Sequence, residues 1–127
     1  MEREILFRGK RIDNGEWVEG MYLYIKGHTY PSIFDMEGFS HIIITKTLGQ
    51  FTGVLDKNDK KIFEGDIVKY ENKIYEIKYL EKYARFAPSN ESTVFMVCAF
   101  NHLEVVGNIY DNPELLKDDD ILSEKLK

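Results

Sequence analysis

The stretch Ile62 to Tyr79, IFEGDIVKYENKIYEIKY, decides the fold. Its second half alternates: Tyr75, Ile77 and Tyr79 are interleaved with Glu76 and Lys78, a period of two that places one face of a strand on a core and the other in water. Its first half reads as a shorter strand, Ile67-Val68-Lys69-Tyr70, fed by the turn Glu64-Gly65-Asp66 and closed by Asn72-Lys73. Upstream, Gln50-Phe51-Thr52-Gly53-Val54-Leu55 runs into Asp56-Lys57-Asn58-Asp59-Lys60, a polar cluster of turn formers, before Ile62-Phe63 returns toward a core. Successive short strands joined by tight turns predict an antiparallel meander.

Outward from this centre the same grammar continues. Ile5 to Phe7 enters a strand, and Asp13-Asn14-Gly15 supplies residues that tolerate positive φ, as a tight hairpin requires. Trp17 and Val18 restart the apolar pattern, Met21 to Ile25 reads as a second strand, and Lys26-Gly27-His28 closes it. Pro31 to Ser40 is expected to be a loop or irregular edge. His41 to Thr47 (HIIITKT) is β-branched and reads as a strand buried on much of both faces. Glu81 to Glu91 is assigned to loop. Thr93 to Phe100 and Leu103 to Val106 are two further strand candidates, the second running on through Gly107-Asn108 to Tyr110. Asn112-Pro113 predicts the start of a short helix, with Asn accepting a free amide proton and Pro lacking the donor that a first turn leaves unused. Asp118 to Asp120 interrupts that helix, and Ile121 to Lys127 is either a second helical turn or a frayed tail.

The composition suits one soluble domain spanning residues 1–127. Hydrophobic residues make up 43%, charged residues 31% and aromatics 13%, and the aromatic share favours pleated, half-buried surfaces. A net charge of −5 repels phosphate backbones on average, so nucleic acid is not the favoured partner. Cys98, the single cysteine, lies in an apolar run and reads as a buried structural thiol. No signal-peptide pattern or membrane-length apolar run is seen, so the expected location is the cytosol, where the Asn90-Glu91-Ser92 sequon has no meaning.

Specific chemistry is disfavoured motif by motif. His28, His41 and His102 show no zinc-ligand spacing with one another or with Cys98. Asp56-x-Asn58 starts like a calcium loop, but Lys60, Lys61 and Ile67 occupy the fifth, sixth and twelfth positions, where an acceptor, a glycine and a bidentate Glu belong. There is no phosphate loop, dinucleotide fingerprint or nucleophile elbow. No cofactor is expected, and no catalytic residue is named. One basic feature stands out: Arg3, Arg8, Lys10 and Arg11 cluster near Phe7 and Trp17, which suits either a solvated edge strand or a single-stranded nucleic acid surface. Asp118 to Asp120 is read as a solvated terminus in preference to an interaction patch.

Three ordered segments together resemble the YopX proteins of bacteriophages and prophages: Arg3 to Gly9, Gly49 to Gly53 through Asp56, Lys60 and Ile62 to Val68, and Gly107 to Leu116. The segment Asp13 to Gly20 is similar to a variant of that family with a Trp-containing hairpin, whereas Lys26 to Ser40 and Lys82 to Ser92 match little and are expected to be variable loops. The resemblance implies a mainly β fold, with short antiparallel strands forming meanders or a partly open small barrel and a short C-terminal helix. It also implies homo-oligomeric assembly in a phage-encoded protein, and it transfers no catalytic residues. Gly53, Gly65 and Gly107 are expected to serve turns or bulges, and Glu64 and Asp66 to bond the amides of the turn they flank. The leading functional expectation is a non-enzymatic accessory module that binds a phage or host protein or assembles with itself. The alternatives are a nucleic-acid-binding small β-barrel using Arg3, Arg8, Lys10 and Arg11, and an enzyme with an unrecognised site.

Overall fold

A computed structural model describes residues 3–90, 94 and 99–116 of the chain. It is mainly β, as expected, with two antiparallel sheets, neither closed into a barrel. The chain divides into two compact units, Met1–Gly53 and Val54–Lys127.

In the first unit, β1 (Phe7–Lys10), β2 (Trp17–Leu23), β3 (Ser32–Phe34), β4 (Ser40–Ile42) and β5 (Gly49–Leu55) lie in the order β4-β3-β2-β1-β5. The hairpin between β1 and β2 forms where the sequence places it. Gly15 takes φ +72°, Asn14 Oδ1 accepts the Glu16 amide, and the register pairs Lys10 with Trp17 and Arg8 with Glu19. A single bridge between Arg11 and Ile43 ties the end of β1 to the end of β4 and leaves the sheet open. Leu6, Ile33, Ile43 and Phe51 are the buried apolar side chains of this unit.

Two expectations need correction here. Pro31 to Ser40 is not irregular throughout, because Ser32–Phe34 pairs with both β2 and β4 and buries Ile33 completely. His41 to Thr47 is not one strand buried on both faces. Only Ser40–Ile42 is extended, Ile42 is exposed, and Thr45–Thr47 forms a 3-10 turn. The turn is stabilised by the buried Thr47 hydroxyl, which donates to the Ile44 carbonyl at 2.6 Å while accepting the Lys10 amide at 2.9 Å. That side-chain bond competes with continued strand pairing.

The second unit contains the end of β5, β6 (Lys61–Phe63) and a sheet in the order β10-β7-β8-β9. Its strands are β7 (Asp66–Tyr70), β8 (Lys73–Leu80), β9 (Arg85–Ser89) and β10 (Glu104–Asn108). The alternation read in β8 is real. Tyr75 and Ile77 are buried with Ile62, Val68 and Leu103, and Tyr70, Phe86, Phe100 and Val105 pack around them. Tyr79 lies at the strand end, exposed, with its ring edge-on to Phe86 at 5.2 Å.

Glu81 to Glu91 is also not simply a loop. Glu81–Tyr83 makes a 3-10 turn, and Arg85–Ser89 then forms β9, the outermost strand of its sheet among the described residues, a place where a proline such as Pro88 is tolerated. Ala84 joins the two at φ 52°, ψ 45°, the left-handed region that costs a non-glycine residue about 1 kcal/mol or more. Ala84→Gly is therefore expected to raise stability by roughly 0.5 kcal/mol after the entropy cost of glycine, read as a higher urea midpoint. A lower midpoint would contradict that conformation.

Residues 114–116 begin the short C-terminal helix. Asn112 sits at its start, but its side chain turns back: Oδ1 accepts the Asn108 amide at 3.2 Å, and the Asn112 amide donates to the Asn108 carbonyl at 2.8 Å. Its amide-accepting role thus serves the exit from β10 and not the helix. Apart from Val94, which bridges Ser89, and the 3-10 turn Phe100–His102, the strand expected over Thr93 to Phe100, including Cys98, lies outside the described residues. So does the acidic Asp118 to Asp120 tail.

Candidate interaction surface

The motif residues of the central block are used within the second unit. Asp56 is buried; its Oδ1 accepts the amides of Asn58 and Lys60 at 2.8 and 2.9 Å, and its Oδ2 accepts the amide of Val105 at 2.8 Å. The Lys57 amide donates to the Leu103 carbonyl, so this loop lies along the outer side of β10 and covers an otherwise open edge. Burial acts to raise the Asp56 carboxyl, but the three amide bonds and the nearby Lys60 charge outweigh it and hold the group below its ordinary range. Asp66 accepts the Phe63 amide at 2.8 Å, and Gly65, at φ +91°, donates to Ile77 and accepts from Ile109. Of the two flanking acids, Asp66 makes the expected turn bond.

Among the described residues no group of three or more His, Cys, Asp or Glu is placed to hold a metal ion. Glu76 on β8 is half-buried, and burial pushes its carboxyl up, with Glu64 adding to the rise and Lys78 opposing it. His28 and His102 are exposed, and His41 binds Asp35.

Of the four basic residues singled out in the sequence, Arg8 and Lys10 are brought together. Arg8 and Lys10, two apart on β1, share a face with Trp17 across the hairpin, and their charged groups lie 4.6 and 5.7 Å from its ring centroid. The Arg11 guanidinium instead grips Asp13 through two bonds of 3.1 and 2.8 Å, which hold Asp13 below and Arg11 above their ordinary ranges. Arg3 is exposed and its aliphatic stem lies beside Gly53.

A different surface emerges from the register of β2, β3 and β4. Met21 pairs with Phe34, Leu23 with Ser32, and Ser32 with Ile42, which places Met21, Leu23, Phe34 and Ile42 on one face. All four are exposed. The opposite face carries Tyr22, Ile33 and His41, in register with one another. The turn from β3 to β4 adds Met36 and Phe39, 85% and 63% exposed, and the connection from β2 to β3 adds Tyr24, Ile25 and Tyr30. Exposed large apolar side chains clustered in this way are what proteins use for association. Sequence reading missed this surface because Met21 to Ile25 is apolar on both of its alternating faces, leaving no signal for which face points outward.

A family model described as YopX protein matches residues 6–117. Among solved structures, the crystal structure of protein EF1440 from Enterococcus faecalis is similar, with a TM-score of 0.62 and 25% identity over 91% of this chain and 99% of that one. No curated protein matches. Among the described residues no helix is long and apolar enough to cross a membrane.

Proposed function

The chain belongs to the YopX family, and from that premise we propose that it is a non-enzymatic phage or prophage accessory protein working in the bacterial cytoplasm, which binds a phage or host protein or assembles with itself. The observation that carries this reading is the exposed apolar face of β2, β3 and β4, Met21, Leu23, Phe34 and Ile42, none of them charged. An apolar face on a compact unit is stabilised by being covered, at about 25 cal/mol per Å² removed from water. The motif carboxylates Asp56 and Asp66 accept backbone amides, which supports a structural role for the central block.

The decisive experiment combines light scattering over a range of concentrations with capture from lysogenic cells, using the native chain and a Met21→Lys/Ile42→Lys variant. A chain that stays monomeric and recovers no reproducible partner would overturn the reading. The nucleic-acid alternative keeps Arg3, Arg8, Lys10 and Arg11 as its candidate residues. It is tested by fluorescence polarisation against single- and double-stranded DNA and RNA at low salt, where binding that steepens as salt falls is the required outcome.

A further inference from the structure

We propose that the turn from Asp35 to Phe39 is the anchor of this surface, inserting Met36 and Phe39 into an apolar pocket of a partner protein whose rim carries Lys or Arg opposite Glu37. The inference rests on the binding-module reading above. The turn is unusual in being tightly held while its large side chains stand in water. Asp35 Oδ1 accepts the amides of Glu37 and Phe39 at 2.9 and 3.0 Å, and Oδ2 meets His41 Nε2 at 2.7 Å. The Asp35 amide donates to the Phe39 carbonyl at 2.8 Å, and Gly38, at φ +92°, donates to the Asp35 carbonyl at 3.0 Å. None of this ordering comes from burying Met36 or Phe39. A turn whose backbone is already fixed loses little further freedom on binding, which is what makes exposed Met and Phe effective anchors.

Charge selects the occupant. The Asp35 carboxylate is engaged by two amides and His41, which hold it below its ordinary range. Glu37, exposed between the two anchors, makes no ion pair among the described residues. A pocket edged by a cation complements it. A second copy seated turn on turn at a two-fold axis would instead bring Glu37 toward Glu37, whereas a cation-edged pocket on a different protein complements it.

The test uses the full chain expressed in a host strain carrying the phage, with a photoreactive benzoylphenylalanine at position 36 and, separately, at position 83 in the second unit as a control. A protein crosslinked from position 36 is purified and titrated against the native chain by calorimetry. Met36→Ser and Phe39→Ser should each weaken binding about tenfold or more while leaving the urea midpoint unchanged, since both side chains are exposed. Glu37→Gln should weaken it a few-fold and flatten its salt dependence. Asp35→Asn should weaken binding with all contact side chains intact. The proposal is overturned if the partner binds both serine variants as tightly as the native chain, if crosslinks form only from position 83, or if position 36 captures only a second copy. A monomeric chain that crosslinks to nothing from either position would bring down the binding-module reading itself.

Discussion

Asp56→Ala is expected to destabilise the protein by about 3 to 4 kcal/mol, read as a fall in the urea midpoint at an unchanged slope. The carboxylate is 3% exposed and accepts three backbone amides, one of them 49 residues away on β10. Hydrogen bonds to a charged acceptor contribute about 1.5 to 3 kcal/mol each, and the amides left behind at Asn58, Lys60 and Val105 differ in how readily water can reach them. Asn58 and Lys60 are exposed residues whose amides can be rehydrated, so the sum is not fully realised; the Val105 amide contributes the larger share. Asp56→Asn keeps one acceptor oxygen and should lose about half as much. The pH dependence has a definite sign. Because the folded carboxyl lies below its unfolded value, near 4, its stabilisation is present above that value and is lost as pH falls through the folded one. Urea midpoints measured from about pH 5 down to 2 should fall more steeply for the native protein than for Asp56→Asn. Parallel pH profiles, or an alanine variant as stable as the native chain, would show that this carboxylate does not clip the loop to β10.

The clip also shows what the sequence could and could not reveal. Asp56 to Lys60 reads as a turn because Asp and Asn bond their own backbone two residues on, and the Asn58 amide does so. Lys60, Lys61 and Ile67, which disfavour a calcium loop, are visible in the sequence. The reach of Oδ2 to Val105 depends on β10 lying beside β7, a pairing no local pattern encodes. Similarly, the alternation of Tyr75 and Ile77 predicted the core face of β8, whereas Tyr79 continues the pattern past the point where the core ends. The three-residue strands β3 and β4 offer too few positions for a period to be counted, and Pro88 reads as a breaker unless the strand is known to be an edge. Arg8 and Lys10 were legible as a pair, being two apart, and counting back across the Asp13-Asn14-Gly15 turn places Trp17 opposite Lys10. What sequence adjacency concealed is that Arg11, one residue further, turns away to Asp13.

Gly20→Ala is expected to be at least as damaging, roughly 3 kcal/mol or more, because the added carbon meets backbone and not a movable side chain. A Cβ at position 20 would lie 1.8 Å from the Phe34 carbonyl oxygen, 2.7 Å from its carbon and 3.1 Å from Asp35 Cα. Relief requires β3 to move off β2, which breaks the pairing of Met21 with Phe34 and disturbs the base of the Asp35 turn. Gly15→Ala provides the contrast. Its φ is +72° and nothing lies within 4 Å of the new carbon, so its cost is confined to backbone strain, about 1 kcal/mol. The two substitutions add the same methyl group to the same hairpin strand region and separate close approach from conformational preference. If Gly20→Ala matches or exceeds the stability of Gly15→Ala, the tight contact between β2 and β3 is wrong, and with it the register that brings Met21, Leu23, Phe34 and Ile42 to one face. If it collapses β2–β3 pairing as expected, amide exchange should accelerate at Met21 and Leu23, and partner binding through the Asp35 to Phe39 turn should be lost with it. Gly20 would then be required by the surface although it lies buried behind it and touches no partner.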